Sequence, residues 1–272
     1  MNAFDCFIKW NVSPKAFSIG QLDLRYYGLF LITAFISASI VFYLILKREN
    51  QSLFLLPVTL NAVFLSALIG ARLGECLFYF PEYYLNNPLE IFIPFKNGVY
   101  TGIGGLSSHG AAFAIPPALY LTAKNRKIPV LWLMDKVCVT IPLAAFFIRL
   151  GNLFNSEILG TETSVFWGFI FEQRNEDFPR HPVQLYEAVC YLAIFFFLYN
   201  FYKRTQNKIP QGTILGLFLS LTFFSRFVLE TFKAPLNAFD QNSLFNTGQY
   251  LSLIFIFAGA IIILISSLKG KL

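Results

Sequence analysis

Long apolar runs alternate with short polar loops along most of this chain. A run of about 20 apolar residues forms a helix about 30 Å long, which matches the hydrocarbon thickness of a bilayer. Runs of this kind cover residues 26–46, 56–78, 101–123, 130–148, 184–202, 212–232 and 247–268. The pattern therefore predicts an all-α polytopic membrane protein with seven transmembrane helices.

The composition supports the same class of protein. Of the 272 residues, 56% are hydrophobic and 13% are charged, whereas soluble domains carry about 25% charged residues. A net charge of +6 is compatible with nucleic-acid binding, but the basic residues lie in short loops between the apolar runs. That distribution is typical of the cytoplasmic loops of membrane proteins. We therefore predict no nucleic-acid partner.

The loop charges alternate from one predicted span to the next and give an orientation. One side carries Lys47, Arg48, Lys124, Arg126, Lys127, Lys203, Arg204, Lys208, Lys269 and Lys271. The other side carries Glu82, Glu90, Lys96, Lys233, Asp240 and a mixed, mostly acidic stretch at 157–180. Because Lys and Arg are enriched in cytoplasmic loops, we predict the N-terminus outside and the C-terminus in the cytoplasm. The first apolar run is late and long for a cleaved signal peptide, so none is expected.

One loop, residues 150–183, is long enough to form structure of its own. This loop, termed the cap, is predicted to be a small extracytoplasmic head insertion between spans four and five. The rest of the chain gives no boundary, so residues 1–272 are predicted to form a single membrane-embedded domain. Alternating aromatic residues at 165–171 predict a short strand or hairpin near the membrane interface.

The four cysteines, Cys6, Cys76, Cys138 and Cys190, lack the spacing of metal ligands. At least three lie in or beside apolar runs, where cysteine behaves as a small apolar residue. We expect neither a disulfide framework nor a metal site, and no cofactor is implied.

A cluster of polar residues interrupts the apolar pattern at residues 149–160. Arg149 lies at the outer end of the fourth predicted span, and Asn152 follows on the same helical face. Glu157 and Gly160 complete the cluster. Polar groups at membrane depth are costly unless paired, so this cluster is a candidate for binding the polar part of a lipid or solute.

Two arginines in the outer half of the predicted helices suggest an anionic ligand. Arg226 is followed by Glu230 at a spacing that allows an ion pair within one helix, and that pair could simply make the span tolerable. Arg149 has no acidic partner within its own span. Because guanidinium binds phosphate through paired hydrogen bonds, we predict that both arginines contact the phosphate of an outer-leaflet phospholipid.

Two histidines and one tyrosine are further candidates. His109 opens the third predicted span and could be a general base, a headgroup donor or a structural hydrogen-bonding group. For His181, at the start of the fifth span, a capping or structural role is favoured. Tyr27 could be an interfacial tyrosine or a phosphate ligand. The polar side chains after His181 are predicted to face inward: Gln184, Tyr186 and Glu187.

Six motifs occur in order along the chain. They are Arg25-Tyr-Tyr27-Gly28; Ala71-Arg72-Leu-Gly74; the stretch 104–110 ending in Ser107-Ser-His109-Gly110; the stretch 149–160 with Arg149, Gly151, Asn152, Asn155, Glu157 and Gly160; Arg180-His-Pro-x-Gln-Leu-Tyr-Glu187; and Arg226-Phe-x-x-Glu230. In a seven-span frame, this set resembles the prolipoprotein diacylglyceryl transferases of bacteria from Tyr27 to about Pro235. The chain departs from the family pattern at three packing positions: Ile148, Leu153 and Ser108.

The resemblance implies an enzyme of the bacterial plasma (inner) membrane, multi-pass, with its active site toward the extracytoplasmic side. Such enzymes transfer the diacylglyceryl group of phosphatidylglycerol to the lipobox cysteine thiol of a preprolipoprotein. A thioether forms and glycerol phosphate leaves. The implied partners are phosphatidylglycerol, preprolipoprotein signal peptides with a lipobox cysteine, and membrane lipid. The substrate supplies the nucleophile, which fits a chain without a Ser-His-Asp or Cys-His arrangement.

The resemblance also suggests roles for individual residues. Arg149 and Arg226 are expected to bind and neutralise the phosphate, with Arg226 stabilising the leaving group. His109 is the expected base for the thiol, and Glu157 is the alternative. The other expected substrate contacts orient the headgroup or the arginines, or permit close backbone approach: Tyr27, Asn152, Glu157, Gly160 and Glu230.

Two other classes of function stay open on the residues alone. A transporter or flippase could bind phosphate with the same arginines, although no carboxylates for a coupling ion are evident beyond Glu187 and Glu230. An assembly factor could use the polar residues only to lock helices together, but that function explains an unpartnered Arg149 poorly.

Overall fold

Helices dominate the computed structural model of the chain. The structure describes residues 7–20, 22–91, 95–96, 99–100, 107–205, 208–234 and 244–269. Its α-helices are α1 (Tyr26–Arg48), α2 (Leu55–Gly74), α3 (Pro81–Asn86), α4 (Ser108–Arg126), α5 (Val130–Phe154), α6 (Val183–Thr205), α7 (Thr213–Leu229) and α8 (Thr247–Lys269). Short π-helical and 3-10 turns follow α2 and α7.

Six of the described helices are long and apolar enough to cross a membrane. They cover Tyr26–Arg48, Leu55–Leu77, Val130–Phe154, Val183–Thr205, Thr213–Phe232 and Thr247–Lys269. Six of the seven predicted spans are thus confirmed, and the chain is a polytopic helical membrane protein. The remaining prediction, residues 101–123, overlaps α4, which contains Pro116 and Pro117 and ends in a basic turn. Residues 101–106 of that prediction lie outside the described residues.

Small β-sheets add to the helices in the described part of the chain. β1 (Ile8–Trp10) pairs in parallel with β6 (Phe169–Phe171), while β2 (Lys15–Ile19) pairs antiparallel with β3 (Leu22–Arg25) and β4 (Phe95–Lys96) with β5 (Val99–Tyr100). The strand predicted in the cap is confirmed as β6, but the all-α prediction omitted the other strands. β6 pairs with β1 and not with a hairpin neighbour. The sequence could not show this, because alternation within a segment does not identify the strand with which it pairs.

The chain divides into two compact units. One is Tyr43–Met134, and the other, termed the larger unit, combines Met1–Phe42 with Asp135–Leu272. The prediction of one membrane-embedded domain with an inserted cap stays a prediction.

Small residues bring α2 and α4 together within the unit of residues 43–134. A Cβ added at Gly74 would lie 2.7 Å from the Cα of Gly110. Gly70 also faces Gly110, so the two backbones meet where a side chain has no room. Close packing through small residues is a common way for membrane helices to associate.

A buried aspartate in the larger unit fixes α5 against α7. The Asp135 carboxylate accepts hydrogen bonds from the backbone N–H groups of Gly212, at 2.7 Å, and Leu215, at 2.8 Å. Because these N–H groups belong to the start of α7 and have no partner within that helix, the carboxylate caps it.

An aromatic cluster fastens the cap to the end of α5. Leu153, Phe169 and Phe171 are buried together, and Trp10 packs against them. The Trp10 ring centroid lies 5.5 Å from that of Phe169 and 5.5 Å from that of Phe154. The β1–β6 pair and this cluster therefore hold β6 of the cap against the end of α5.

Candidate functional site

The polar residues at the end of α5 lie in a strained turn. The Glu157 N–H donates to the Asn152 carbonyl at 2.9 Å, which closes the turn. Ser156 and Ile158 have positive φ angles of 51° and 57°. This left-handed conformation costs about 1–2 kcal/mol for a residue with a Cβ, and it is least tolerable for a branched side chain such as that of Ile158. Strain of this kind is concentrated at functional sites.

Arg149 is paired with a glutamate on the neighbouring helix α6. Its Nε lies 2.9 Å from Oε2 of Glu187, whose side chain is only 1% exposed. Its Nη1 donates to Oδ1 of Asn152 at 3.3 Å, and the Tyr191 hydroxyl lies beside the guanidinium. Arg149 thus has an acidic partner on another helix, which spacing within its own span could not show. Its predicted phosphate contact stays a prediction. The inward orientation predicted for Glu187 is confirmed.

Two amide side chains bind Glu157, and one of them, Asn152, connects it to Arg149. Asn152 accepts from Arg149 and donates through Nδ2 to Oε2 of Glu157 at 3.1 Å. Asn155 donates to the other carboxylate oxygen at 3.1 Å. The fully buried Gln184 donates to the Glu157 carbonyl. The Glu157 carboxylate is thus oriented by amide donors on both oxygens.

Tyr27, at the start of α1, packs against the same turn. A Cβ on Gly151 would lie 2.9 Å from Cδ2 of Tyr27, so the tyrosine ring lies directly on the α5 backbone. The structure therefore brings Tyr27 to the polar cluster, as a site residue requires.

Lys233 joins the acidic groups of two helices. Its Nζ lies 3.0 Å from Oε1 of Glu187 and 2.8 Å from Oε2 of Glu230. The predicted Arg226–Glu230 pair is present but long, with Nε 3.9 Å from Oε2. From the sequence, Lys233 is predicted to be only a loop charge. Its position three residues after Glu230 was the available signal, since residues three apart can meet on a helical turn.

Gly160 lies where two other backbones meet. Its N–H donates to the His181 carbonyl at 3.2 Å, and Gly160 forms a β-bridge with Lys233 on its other side. A Cβ at Gly160 would meet the carbonyl oxygen of His181 and a methyl group of Val183. A larger residue would therefore separate the cap from the start of α6. The expected close backbone approach at Gly160 is present.

His181 forms a structural contact chain at the rim of the cap. The Trp167 indole N–H donates to the Tyr186 oxygen at 2.7 Å, and that oxygen lies 3.1 Å from Nδ1 of His181. Since the indole can only donate, the Tyr186 O–H is left to donate to Nδ1. Burial lowers the pKa of His181, which favours the same neutral form. These contacts suit the structural role favoured from the sequence.

His109 lies in α4, and its side chain lies outside the described residues. The other predicted site residues belong to the larger unit and are connected by the contacts above: Tyr27, Arg149, Asn152, Glu157, Gly160, Arg226 and Glu230. Among the described side chains, no group of three or more His, Cys, Asp or Glu is arranged to hold a metal ion. Cys76, Cys138 and Cys190 are free thiols, and Cys6 lies outside the described residues.

Fold and site define a polytopic membrane protein with a buried ionic cluster. A sequence model described as Prolipoprotein diacylglyceryl transferase matches residues 14–265. The phosphatidylglycerol–prolipoprotein diacylglyceryl transferase of Tolumonas auensis is 38% identical over 259 residues, which cover 95% of this chain and 97% of the relative. The enzyme of the same name from Bacteroides fragilis is 38% identical over 265 residues, covering 95% of each chain. That of Chloroherpeton thalassium is 36% identical over 267 residues, covering 98% and 97%.

The chain belongs to the prolipoprotein diacylglyceryl transferase family. It is therefore a transferase of lipoprotein biosynthesis that catalyses the first step of lipoprotein maturation. The transporter and assembly-factor alternatives are wrong.

The strained turn makes a prediction about stability. Ile158→Gly should cost the protein about 1 kcal/mol less stability than the same change at an equally exposed isoleucine in regular structure, because glycine tolerates a positive φ and Ile158 is 43% exposed. Thermal unfolding in detergent measures the effect. Ile8→Gly is the matched control, since Ile8 is 44% exposed in a strand, and it should destabilise the protein. Equal destabilisation by both substitutions would contradict the strain at Ile158.

Proposed function

We propose that the chain transfers the diacylglyceryl group of phosphatidylglycerol to the lipobox cysteine of preprolipoproteins at the Arg149 cluster. The observation that carries this proposal is the connection of both arginines to one buried ionic cluster. Arg149 contacts Glu187, Lys233 bridges Glu187 to Glu230, and Glu230 faces Arg226. The names of the relatives support phosphatidylglycerol as the donor.

The reaction places particular demands on the site. The cysteine sulfur forms a bond to an sp3 carbon of the glyceryl group, and the bond between that carbon and the phosphate oxygen breaks. The phosphate keeps the bonding electron pair, and the thiol proton passes to a base. The protein must therefore align two substrates and stabilise the charge that develops on the leaving phosphate.

The arginines suit the phosphate part of this task. Guanidinium offers planar paired donors to phosphate oxygens, and partly buried cations act more strongly there than in water. The contacts of Arg149 with Glu187 and Asn152 fix its plane before a substrate arrives. We assign Arg149 and Arg226 to binding of the phosphate, Arg226 to the leaving group, and Tyr27, Asn152 and Glu157 to orientation.

Two residues are candidates for the base that accepts the thiol proton. Histidine is the commonest general base in enzymes, which makes His109 a candidate, and Glu157 lies within the polar cluster itself. In the assay described below, His109→Gln should abolish most transfer if His109 is the base. Recovery of transfer at high pH only, where the thiol ionises by itself, would support His109 as the base. Transfer retained at neutral pH would assign His109 to positioning and leave Glu157 as the base.

The finer membrane arrangement is also part of the proposal. We assign seven spans with α4 as the third, the N-terminus outside, the C-terminus in the cytoplasm, and the cap and active site facing outward. The last turns of α1, α4, α6 and α8 are all basic, which supports a common cytoplasmic side.

Labelling of the cap tests this orientation. Phe166 is 72% exposed, so a Phe166→Cys variant in a Cys6→Ser background should react with a membrane-impermeant maleimide on intact spheroplasts. A cysteine at Lys127, which is exposed at the end of α4, should react only after permeabilisation. The reverse pattern would contradict the proposed orientation.

A reconstituted transfer assay tests the function. Purified protein, phosphatidylglycerol and a lipobox peptide should yield a peptide heavier by one diacylglyceryl group, and a Cys→Ser peptide should not gain this mass. Arg149→Ala should lower the rate on the order of 100-fold or more, as does loss of other preorganised donors. Arg149→Lys should also be impaired, because lysine cannot make paired contacts.

Arg204→Ala is the matched control for these variants. Arg204 is exposed in the last turn of α6, so its removal should leave the transfer rate unchanged. Wild-type transfer by folded Arg149→Ala protein would exclude the phosphate role of Arg149. Failure of wild-type protein to modify the peptide with phosphatidylglycerol would contradict the proposed donor.

A further inference from the structure

Five charged side chains of the larger unit form one continuous ionic chain. In order they are Arg149, Glu187, Lys233, Glu230 and Arg226, with successive nitrogen–oxygen distances of 2.9, 3.0, 2.8 and 3.9 Å. Glu187 and Glu230 are 1% and 8% exposed, and Lys233 is 10% exposed. Solvent therefore screens these charges poorly, and their sum matters to any bound ion.

The ionic chain contains one more cationic side chain than anionic side chains. Three basic side chains face two carboxylates, which leaves a single positive charge when all five are ionised. Glu157 does not alter the net charge of the ionic chain. It is exposed, and its carboxylate oxygens accept hydrogen bonds from the amides of Asn152 and Asn155. Its charge is solvated and is not paired with any of the three cations of the ionic chain.

Lys233 occupies the middle of this arrangement. Its ammonium group contacts both carboxylates, and a lysine has three donors available for such contacts. Each carboxylate is shared in turn with one arginine. Lys233 thus connects Arg149 on α5 to Arg226 on α7 without being needed as a phosphate ligand.

We propose that Lys233 is a positioning residue that holds Glu187 and Glu230, and through them both arginines, in place. The ionic chain then has a single excess positive charge, which matches the single negative charge of a phosphodiester. This inference rests on the proposed function, in which the arginines bind the donor phosphate. A phosphodiester carries one negative charge, so its complex with the cluster is neutral. The excess charge is thus a specificity determinant for a monoanionic lipid headgroup.

The same charge balance acts on the product. Cleavage of the carbon–oxygen bond converts the phosphodiester into a phosphomonoester, which carries about −1.5 to −2 charges at pH 7. The cluster neutralises only one of these charges. The product complex therefore has an excess of negative charge, which favours release of glycerol phosphate over its retention.

Two substitutions change the charge of the ionic chain in opposite directions, and their combination restores it. Lys233→Met lowers it from one positive charge to zero, Glu187→Gln raises it to two, and the double variant restores one. Lys233→Arg conserves the charge. Lys269→Met is the matched control, because Lys269 is exposed at the far end of α8, whose first turn, at Gly248, packs against Glu230. With a rise of 1.5 Å per residue, that end lies about 30 Å along the helix.

The experiment measures transfer from phosphatidylglycerol in mixed micelles and inhibition by sn-glycerol 1-phosphate at pH 7.5. Lys233→Met should lower kcat/KM roughly 10- to 100-fold, since small misplacements of aligned groups have effects of this size, and should weaken inhibition by glycerol phosphate. Glu187→Gln keeps an acceptor oxygen beside Arg149 and should strengthen that inhibition roughly tenfold relative to KM, because the dianion meets a second positive charge. The double variant should return the ratio of inhibition constant to KM toward the wild-type value.

Opposite shifts of the inhibition constant in the two single variants are the decisive result, because loss of structure alone weakens inhibition in both. Parallel shifts, or equal kcat/KM for Lys233→Met and Lys269→Met, would overturn the proposal. Two results are still required if Lys233→Met fails to fold. Lys233→Arg must keep the wild-type ratio of inhibition constant to KM, and Glu187→Gln must show stronger inhibition by glycerol phosphate. Wild-type transfer from phosphatidylglycerol tests the proposed function separately, so the two proposals can fail independently.

Discussion

The polar part of this protein depends on the ion pairs that the buried carboxylate of Glu187 forms. It lies between Arg149 of α5 and Lys233 beyond α7, and its side chain is almost inaccessible to solvent. Removing one partner of a buried ion pair costs about 3–5 kcal/mol, because the remaining charge is left uncompensated. These ion pairs therefore hold α5, α6 and the segment after α7 together. Separating the charges would cost much free energy, because the site is poorly solvated.

The backbone reinforces this arrangement. Residues around Gly160 form hydrogen bonds to His181 and Phe232, so the cap contacts the segments that carry Glu187 and Lys233. The absence of a Cβ at Gly160 permits this approach. The site consequently combines a rigid backbone with a fixed set of charges, which is what a reaction between two bound substrates at a saturated carbon requires.

Periodicity in the sequence predicted those features that arise within one segment. Six apolar runs are confirmed as long helices, the Arg226–Glu230 pair follows from spacing on one helix, and the aromatic alternation at 165–171 contains β6. Motif resemblance led to the correct family. Each of these inferences needed only local pattern or similarity.

Contacts between segments were not predictable in this way. The Arg149–Glu187 pair joins two helices, and Lys233 reaches Glu187 across 46 positions of sequence. The parallel pairing of β1 with β6 joins the N-terminal segment to the cap. Such partners depend on tertiary packing, and the hydrophobic pattern of one sequence does not specify which distant residues meet. The left-handed conformation of Ile158 was equally hidden, because isoleucine normally avoids it.

The most direct test of the phosphate site is an experimental structure of the wild-type protein with a non-reactive phosphatidylglycerol analogue. We predict phosphate oxygens within about 3 Å of the guanidinium nitrogens of both Arg149 and Arg226, with Lys233 still bridging Glu187 and Glu230. A phosphate that contacts neither arginine, while the ionic chain remains intact, would contradict this prediction.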